Sequence, residues 1–389
     1  MQELLWLLLP LAAASGWLVG RRGPRKSASP DSQTLGSEYF RGLDYLLNEQ
    51  PDKAIESFIR MLEVNADTVE THLALGNLFR RRGEVDRAIR VHQNLVAREA
   101  LDGRQRADAL FELGQDYMRA GLLDRAERLF SELLGFDKPR DRALQQLLDI
   151  YQQEKEWGKA IDVARQLRSV RGQPSNSIIA HFCCELAEDA RERDDPASMR
   201  ELLERALKQD SRCARASIML GDLARNSGAW QEAIAAYRRV EQQDIELFPE
   251  VVAPLFECQR ALGEHGAIRS LLDRGLRYRA GTALMIALTD LVAREEGNQA
   301  AAKVIGQYLD EHPSLRGLDR LIELILLQSD GEEHERYARL KRISGRVLIN
   351  RPLYQCRECG LASKTLYWQC PGCRHWASVK PLDGAKAES

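Results

Sequence analysis

The sequence predicts an all-α chain: helical pairs wound into a superhelix, a single transmembrane helix in front, and a small metal-binding module behind. Three observations carry that expectation. An uncharged apolar run opens the chain, a spacing of 34 residues recurs through its middle, and two C-x-x-C pairs stand near its end. The 389 residues are 44% apolar and 29% charged, which suffices for a packed core. Lys and Arg number 56 against 58 Asp and Glu, for a formal net charge of −2. No global excess of positive charge points to nucleic acid, so no nucleic-acid partner is expected.

Residues 1–20 read as the transmembrane anchor. Leu4 to Val19 is free of charge, and a helix from Met1 to Gly20 reaches about 30 Å, the thickness of a bilayer's hydrocarbon core. Trp6 and Trp17 fall towards opposite interfaces, where indole rings partition. The small residues Ala12, Ala13, Ala14, Ser15 and Gly16 offer a cleaved signal peptide as the alternative. Charge opposes it, because Gln2 and Glu3 precede the apolar run while Arg21, Arg22, Arg25 and Lys26 follow it. The positive-inside rule then places the amino terminus outside and the bulk of the chain in the cytoplasm. Residues 21–34, rich in Pro, Ser and Gly, read as a basic linker.

Residues 35–343 carry the period. Gly42, Gly76 and Gly114 each precede an aromatic by three residues: Tyr45, Phe79 and Tyr117. Twelve residues beyond each glycine stands an alanine (Ala54, Ala88, Ala126), and four further on come Phe58, His92 and Phe130. Gly42 and Gly76 lie 34 apart, the tetratricopeptide period. Weaker echoes centre on Tyr151 and Ala160, on Met199, Leu203 and Ala206, on Gly221, Gly228, Ala233 and Tyr237, on Gly263 and Leu272, and on Gly297 and Ala302. Pro313 falls where such repeats end, and 317–343 reads as a final pair divided at Gly331. The expectation is about eight to nine repeats, each an antiparallel pair in which small residues let the helices approach and larger ones fill the gap. A generic helical bundle would not keep three units in strict register.

Residues 344–384 form the metal module, with 385–389 as a tail. Cys356 and Cys359, then Cys370 and Cys373, each enclose two residues, so that both sulfurs of a tight turn reach one ion. Gly360 supplies the positive φ such a turn needs, and Pro371 stiffens the second turn. In a reducing compartment this spacing favours metal over disulfide. Four thiolates suit one tetrahedral zinc or iron ion and close its shell, which leaves no position for a catalytic water. A structural clasp is therefore expected, with a redox protein on a repeat scaffold as the alternative. Tyr354, Leu366, Tyr367, Trp368 and Trp376 are more aromatic and apolar surface than so small a module needs. They pack on the repeats, on a partner, or in the module's own core.

No phosphate-binding loop, dinucleotide fingerprint, nucleophile elbow or H-E-x-x-H motif is present, and no enzyme is expected. The seven histidines are scattered, Cys183, Cys184, Cys213 and Cys258 read as small apolar helix residues, and Asp194 with Asp195 reads as a turn. Arg80, Arg81 and Arg82 read as a solvated helix end. Asn77 with Arg80 is a candidate for lining a partner groove, as Tyr367, Trp368 and Trp376 are on the metal module.

The opening ELLWLLLPLAAASGWLVGRR, the stretches LGNLFRRRGEVDRAIRVHQ (75–93) and LQQLLDIYQQEKEWGKAIDVA (144–164), and the tail YQCRECG with LYWQCPGCRHW resemble the lipopolysaccharide assembly protein B family of Gram-negative bacteria. The resemblance spans nearly the whole chain. It implies a single-pass protein of the cell inner membrane with its repeats and a rubredoxin-type, zinc-ribbon-like metal domain in the cytoplasm. The implied ligands are Cys356, Cys359, Cys370 and Cys373, holding one iron by analogy with rubredoxin, or zinc. The implied partners are a membrane-bound AAA+ metalloprotease, the deacetylase that commits precursor to lipid A, and other lipopolysaccharide synthesis and export proteins. The implied role is that of an adaptor promoting proteolysis of that deacetylase.

Overall fold

The computed structural model of the protein describes residues 40–42, 44–45, 53, 69–98, 101–136, 139–172, 176–264, 281–349 and 351–382. The anchor, the linker, the 385–389 tail, Ala54, Phe58 and Leu272 lie outside these residues. Among the described residues, no helix is long and apolar enough to cross a membrane.

Antiparallel helical pairs follow one another along the chain, in two compact units that divide after Gln146. The first unit holds α1 (Val69–Arg81) with α2 (Val85–Val96), then α3 (Gly103–Arg119) with α4 (Leu123–Glu132). The division falls within α5 (Arg140–Gln153). The second unit continues with α6 (Trp157–Arg171), α7 (Asn176–Glu192), α8 (Pro196–Gln209), α9 (Ala214–Asn226), α10 (Trp230–Gln243) and α11 (Pro249–Ala261). After α12 (Thr282–Glu295) and α13 (Asn298–Glu311), the last pair is α14 (Leu315–Leu326) with α15 (Gly331–Leu348).

One turn geometry closes the first helix of every pair before the last. The second residue past the helix takes a positive φ at Gly83, Gly121, Lys155, Asp194, Gly228, Gly263 and Gly297. The next amide then reaches back five residues, as from Glu84 N–H to Phe79 O (3.0 Å), Leu122 to Tyr117 (2.9 Å), Glu156 to Tyr151 (2.8 Å) and Asp195 to Ala190 (3.0 Å). This left-handed cap satisfies carbonyls that the helix end would otherwise orphan. Five of the seven positions are glycine, where a left-handed backbone costs no steric strain. Asp195 also caps α8, accepting from Ser198 N–H at 3.0 Å, so the two aspartates are turn residues.

The helix-borne glycines are contact points. A Cβ on Gly76 would stand 2.3 Å from the His92 ring, one on Gly114 2.7 Å from Phe130, and one on Gly221 2.3 Å from Tyr237. The ring sixteen residues on packs against bare backbone, and Phe130 and Tyr237 are fully buried. Adjacent pairs within a unit are tied by charge at a fixed offset of 32 residues: Arg80 to Glu112 (2.5 Å), Arg200 to Glu232 (2.9 Å) and Arg225 to Glu257 (3.2 Å). The two more exposed pairs, Arg200–Glu232 and Arg225–Glu257, contribute little stability, whereas Arg80 and Glu112 are about four-fifths buried. The core of the second unit runs from Ala214 on α9 through Tyr237, Leu247, Val251 and Leu288 to Leu324 on α14. Cys183, Cys184, Cys213 and Cys258 are all buried in that unit.

Beyond α15 the chain forms a three-stranded antiparallel sheet in the order β2-β1-β3, from β1 (Tyr354–Cys356), β2 (Ala362–Ser363) and β3 (Val379–Pro381). Cys356 lies opposite Val379, and Tyr354 lies opposite both Ser363 and Pro381.

Candidate metal centre

The two C-x-x-C segments fold into the same loop. In the first, Cys356 N–H donates to Leu361 O (2.8 Å) and Gly360 N–H to Cys356 O (3.0 Å). In the second, Cys370 N–H donates to His375 O (2.9 Å) and Arg374 N–H to Cys370 O (2.8 Å). The residue after each pair is left-handed, Gly360 at φ +76° and Arg374 at φ +60°. Gly360 meets the sequence expectation. The arginine was missed, although aligning the two knuckles residue by residue would have found it.

These loops aim four sulfurs at one point. The Sγ atoms of Cys356, Cys359, Cys370 and Cys373 all lie within 4.8 Å of one another, with Cys356 to Cys373 and Cys359 to Cys370 each 3.6 Å. Thiolates bound tetrahedrally at ~2.3 Å from one ion stand about 3.8 Å apart, so the spacing fits zinc or iron equally. The electrostatics ask for a cation. Burial raises the Cys356 thiol, but Ser378, whose Oγ is 3.3 Å away, and the amides of Cys359 and Glu358 bring it down to about 6. Cys373 is lowered by the amide of His375, yet burial and its three sulfur neighbours push it up to about 12. Four thiolates cannot crowd together unless a positive ion sits among them, and such an ion reverses that penalty. Cys356 and Cys370 are buried, Cys373 is half-buried and Cys359 is exposed.

The ribbon's own core cluster is small, Cys356, Cys370 and Val379, with Tyr354, Leu366 and Cys373 against it. Two of its aromatics, Trp376 and Trp368, go to the repeats. Trp376 stacks on His181 (5.2 Å between ring centroids, 21°) and meets Phe182 (5.8 Å) and Trp157 (6.1 Å) edge-on. Its indole N–H donates to Gln152 Oε1 (3.0 Å), which also accepts from Gln369 (3.2 Å). Trp368 packs with Leu366 on the core of the second unit, under the guanidinium of Arg215 at 5.6 Å. A polar seam runs alongside: Lys380 to Asp244, Arg357 to Glu246 (2.9 Å) and Tyr354 O–H to Glu250 (2.8 Å). Burial and then the Glu250 carboxylate push the Tyr354 phenol well above its usual range, which keeps it a donor.

The partner-surface candidates therefore separate. Trp368 and Trp376 are spent within the chain, on the repeats. Tyr367 is exposed. Asn77 accepts from Arg80 at 2.6 Å, and the same guanidinium meets Glu112 and Asp116 (2.8 Å), so Arg80 is committed to stacking α1 on α3. Asp116 in turn meets His92 at 2.5 Å, buried between α2 and α3. Sequence reasoning missed Gln152, His181, Arg215 and Ser378, because nothing local marks a residue whose partner is far away in the chain.

Comparison with known proteins agrees with both parts. Residues 354–381 match the profile of a rubredoxin metal binding domain, and 41–100, 73–141 and 184–246 match the tetratricopeptide repeat. The chain is 40% identical over 385 residues to lipopolysaccharide assembly protein B of Escherichia coli (strain K12), covering 99% of each chain. It is 35% identical over 391 residues to the protein of that name in Haemophilus influenzae, covering 98% of each. Among solved structures, a crystal structure of MamA protein is 18% identical, with a TM-score of 0.32 over 47% of this chain and 95% of that one. With end-to-end identity to two such relatives, repeats in the middle and a four-sulfur ribbon behind them, the chain belongs to the lipopolysaccharide assembly protein B family.

Proposed function

We propose that this chain is a non-enzymatic adaptor of the cell inner membrane. In this reading residues 1–20 span the bilayer, residues 21–34 form the basic linker, and the repeats and ribbon work on the cytoplasmic side. The adaptor holds the lipid A-committing deacetylase beside a membrane-bound AAA+ metalloprotease, promotes its degradation, and so restrains lipopolysaccharide synthesis. It also gathers other lipopolysaccharide synthesis and export proteins. One observation supports the reading: the 40% identity to a protein named for lipopolysaccharide assembly extends over 99% of both chains, so the match takes in the segment read as an anchor as well as the repeats and the ribbon. The physical basis is effective concentration. Tethering two partners to one scaffold makes their encounter local and requires no new chemistry.

The test is removal of residues 1–20 at native abundance. The shortened chain should keep its metal and its helical fold, yet the deacetylase should rise to the level seen without the protein. A shortened chain that restrains the deacetylase fully would sink the proposal.

A second reading, a redox protein, draws on the exposed Cys359 sulfur, since an edge-exposed ligand would let electrons reach the ion. Metal analysis with a visible spectrum separates the two. A reversible iron chromophore supports electron transfer, and zinc alone ends it.

A further inference from the structure

The last described helix of the array carries a face that, among the described residues, is left exposed. α15 packs on α14 through Lys341, whose ammonium meets Asp319 (2.8 Å) and Glu323 (2.9 Å), and through the buried Ser344, which donates to Asp319 (2.6 Å). These residues mark its inner side. Leu340, Ile343 and Val347 share a different side, at the i, i+3, i+7 spacing of one helical stripe, and are 47%, 56% and 45% exposed. Arg339, Arg342 and Arg346 repeat that spacing one residue earlier, so they edge the stripe about 100° around the axis. All three are exposed and, among the described residues, none has a carboxylate partner. From Arg336 to Leu353 the chain has six basic residues and no acidic one, in a protein of net charge −2.

We propose that this face of α15 rests on anionic phospholipid. Leu340, Ile343 and Val347 enter the boundary of the acyl chains, and the three guanidiniums engage headgroup phosphates. A cationic amphipathic helix has this chemistry: apolar area and electrostatic attraction add, and guanidinium matches phosphate in two-point geometry. The competing occupants fit less well. A second copy would bring another row of guanidiniums against the first. A specific protein partner usually needs about 800 Å² on each side, and three half-exposed side chains supply far less. Lipid contact needs no such area if the chain is already tethered, because the contact is then intramolecular. In that respect the inference rests on the membrane attachment proposed above.

The test uses the full chain with a photoreactive benzoylphenylalanine in place of Ile343. It is reconstituted into vesicles of phosphatidylcholine alone, or of equal parts phosphatidylcholine and phosphatidylglycerol. Irradiation should give a lipid adduct at 343 in the anionic vesicles and little in the neutral ones. Adding R339E, R342E and R346E should reduce the lipid-engaged state on the order of a hundredfold, with the melting temperature unchanged. Flotation of the chain with vesicles of both compositions reads the anchor separately. Flotation without a lipid adduct at 343 overturns this inference and leaves the anchor standing, while no flotation with either composition overturns both. An adduct to protein, from the same chain, a second copy or another polypeptide, overturns it as well. So does a charge-reversed chain that labels lipid as efficiently as the original.

Discussion

Gly221 separates helix propensity from packing. Alanine is favoured over glycine inside a helix by about 1 kcal/mol. At this position its Cβ would lie 2.3 Å from the Tyr237 ring. The ring is fully buried and its hydroxyl donates to Asp222 at 2.7 Å, so it cannot slide aside without giving up that bond. Overpacking costs about 1–3 kcal/mol and should prevail. Gly221→Ala is expected to lower the urea midpoint of the second unit, while Gly158→Ala, with nothing within 4 Å, should leave it level or raise it slightly. His181 gives a pH signature. Burial, with Arg215 and Lys380 nearby, holds it down to about 3, against 6.5 when unfolded. Between those values the unfolded chain binds the extra proton, so stability is complete above about pH 6.5 and is lost as pH falls towards 3. About 2 kcal/mol should be gone by pH 5, read from denaturant midpoints, and His181→Phe should flatten that slope. The Gly-to-ring spacing was legible because it recurs at the repeat period. Lys155 and Asp194 were not, since each takes a left-handed backbone under the constraint of hydrogen bonds that its residue type does not announce.

At the scale of elements, the ribbon depends on two supports that it does not contain. Its core cluster holds three buried side chains, too few to order it alone, so its order comes from the ion and from the repeats beneath it. Comparable structural sites draw about 10–16 kcal/mol from their metal. Chelation is therefore expected to open the ribbon and uncover the surface under Trp376. Hydrogen exchange should quicken in peptides spanning 354–381, and in those around Gln152, His181 and Glu246, and should stay unchanged in α1 to α4. Unchanged exchange at His181 after complete removal of metal would show that the ribbon stays docked without its ion. The knuckles were legible in the sequence because their chemistry fits within eighteen residues. The docking was not, because Tyr354 finds Glu250 across 104 residues and Trp376 finds Gln152 across 224. No periodicity or short motif encodes pairs so far apart. The stripe on α15 was hidden for a different reason, since a helix in a repeat array is read for the face it buries.

At the scale of the whole molecule, identity along 99% of the chain joins two kinds of structure that are common separately, a stack of helical pairs and a metal ribbon. The stack is specified locally, repeat by repeat, by a cap, a glycine and a ring. The ribbon instead reaches back to Gln152, Asp244, Glu246 and Glu250, all of them in the second unit. That return path sets an order of events during synthesis. Trp376 leaves the ribosome 224 residues after the Gln152 it meets, and Lys380 136 residues after Asp244, so the helices they close must wait for them. A truncated or metal-starved nascent chain thus emerges with Trp157 and Phe182 unsealed, which marks it as unfinished to any protease that surveys new protein.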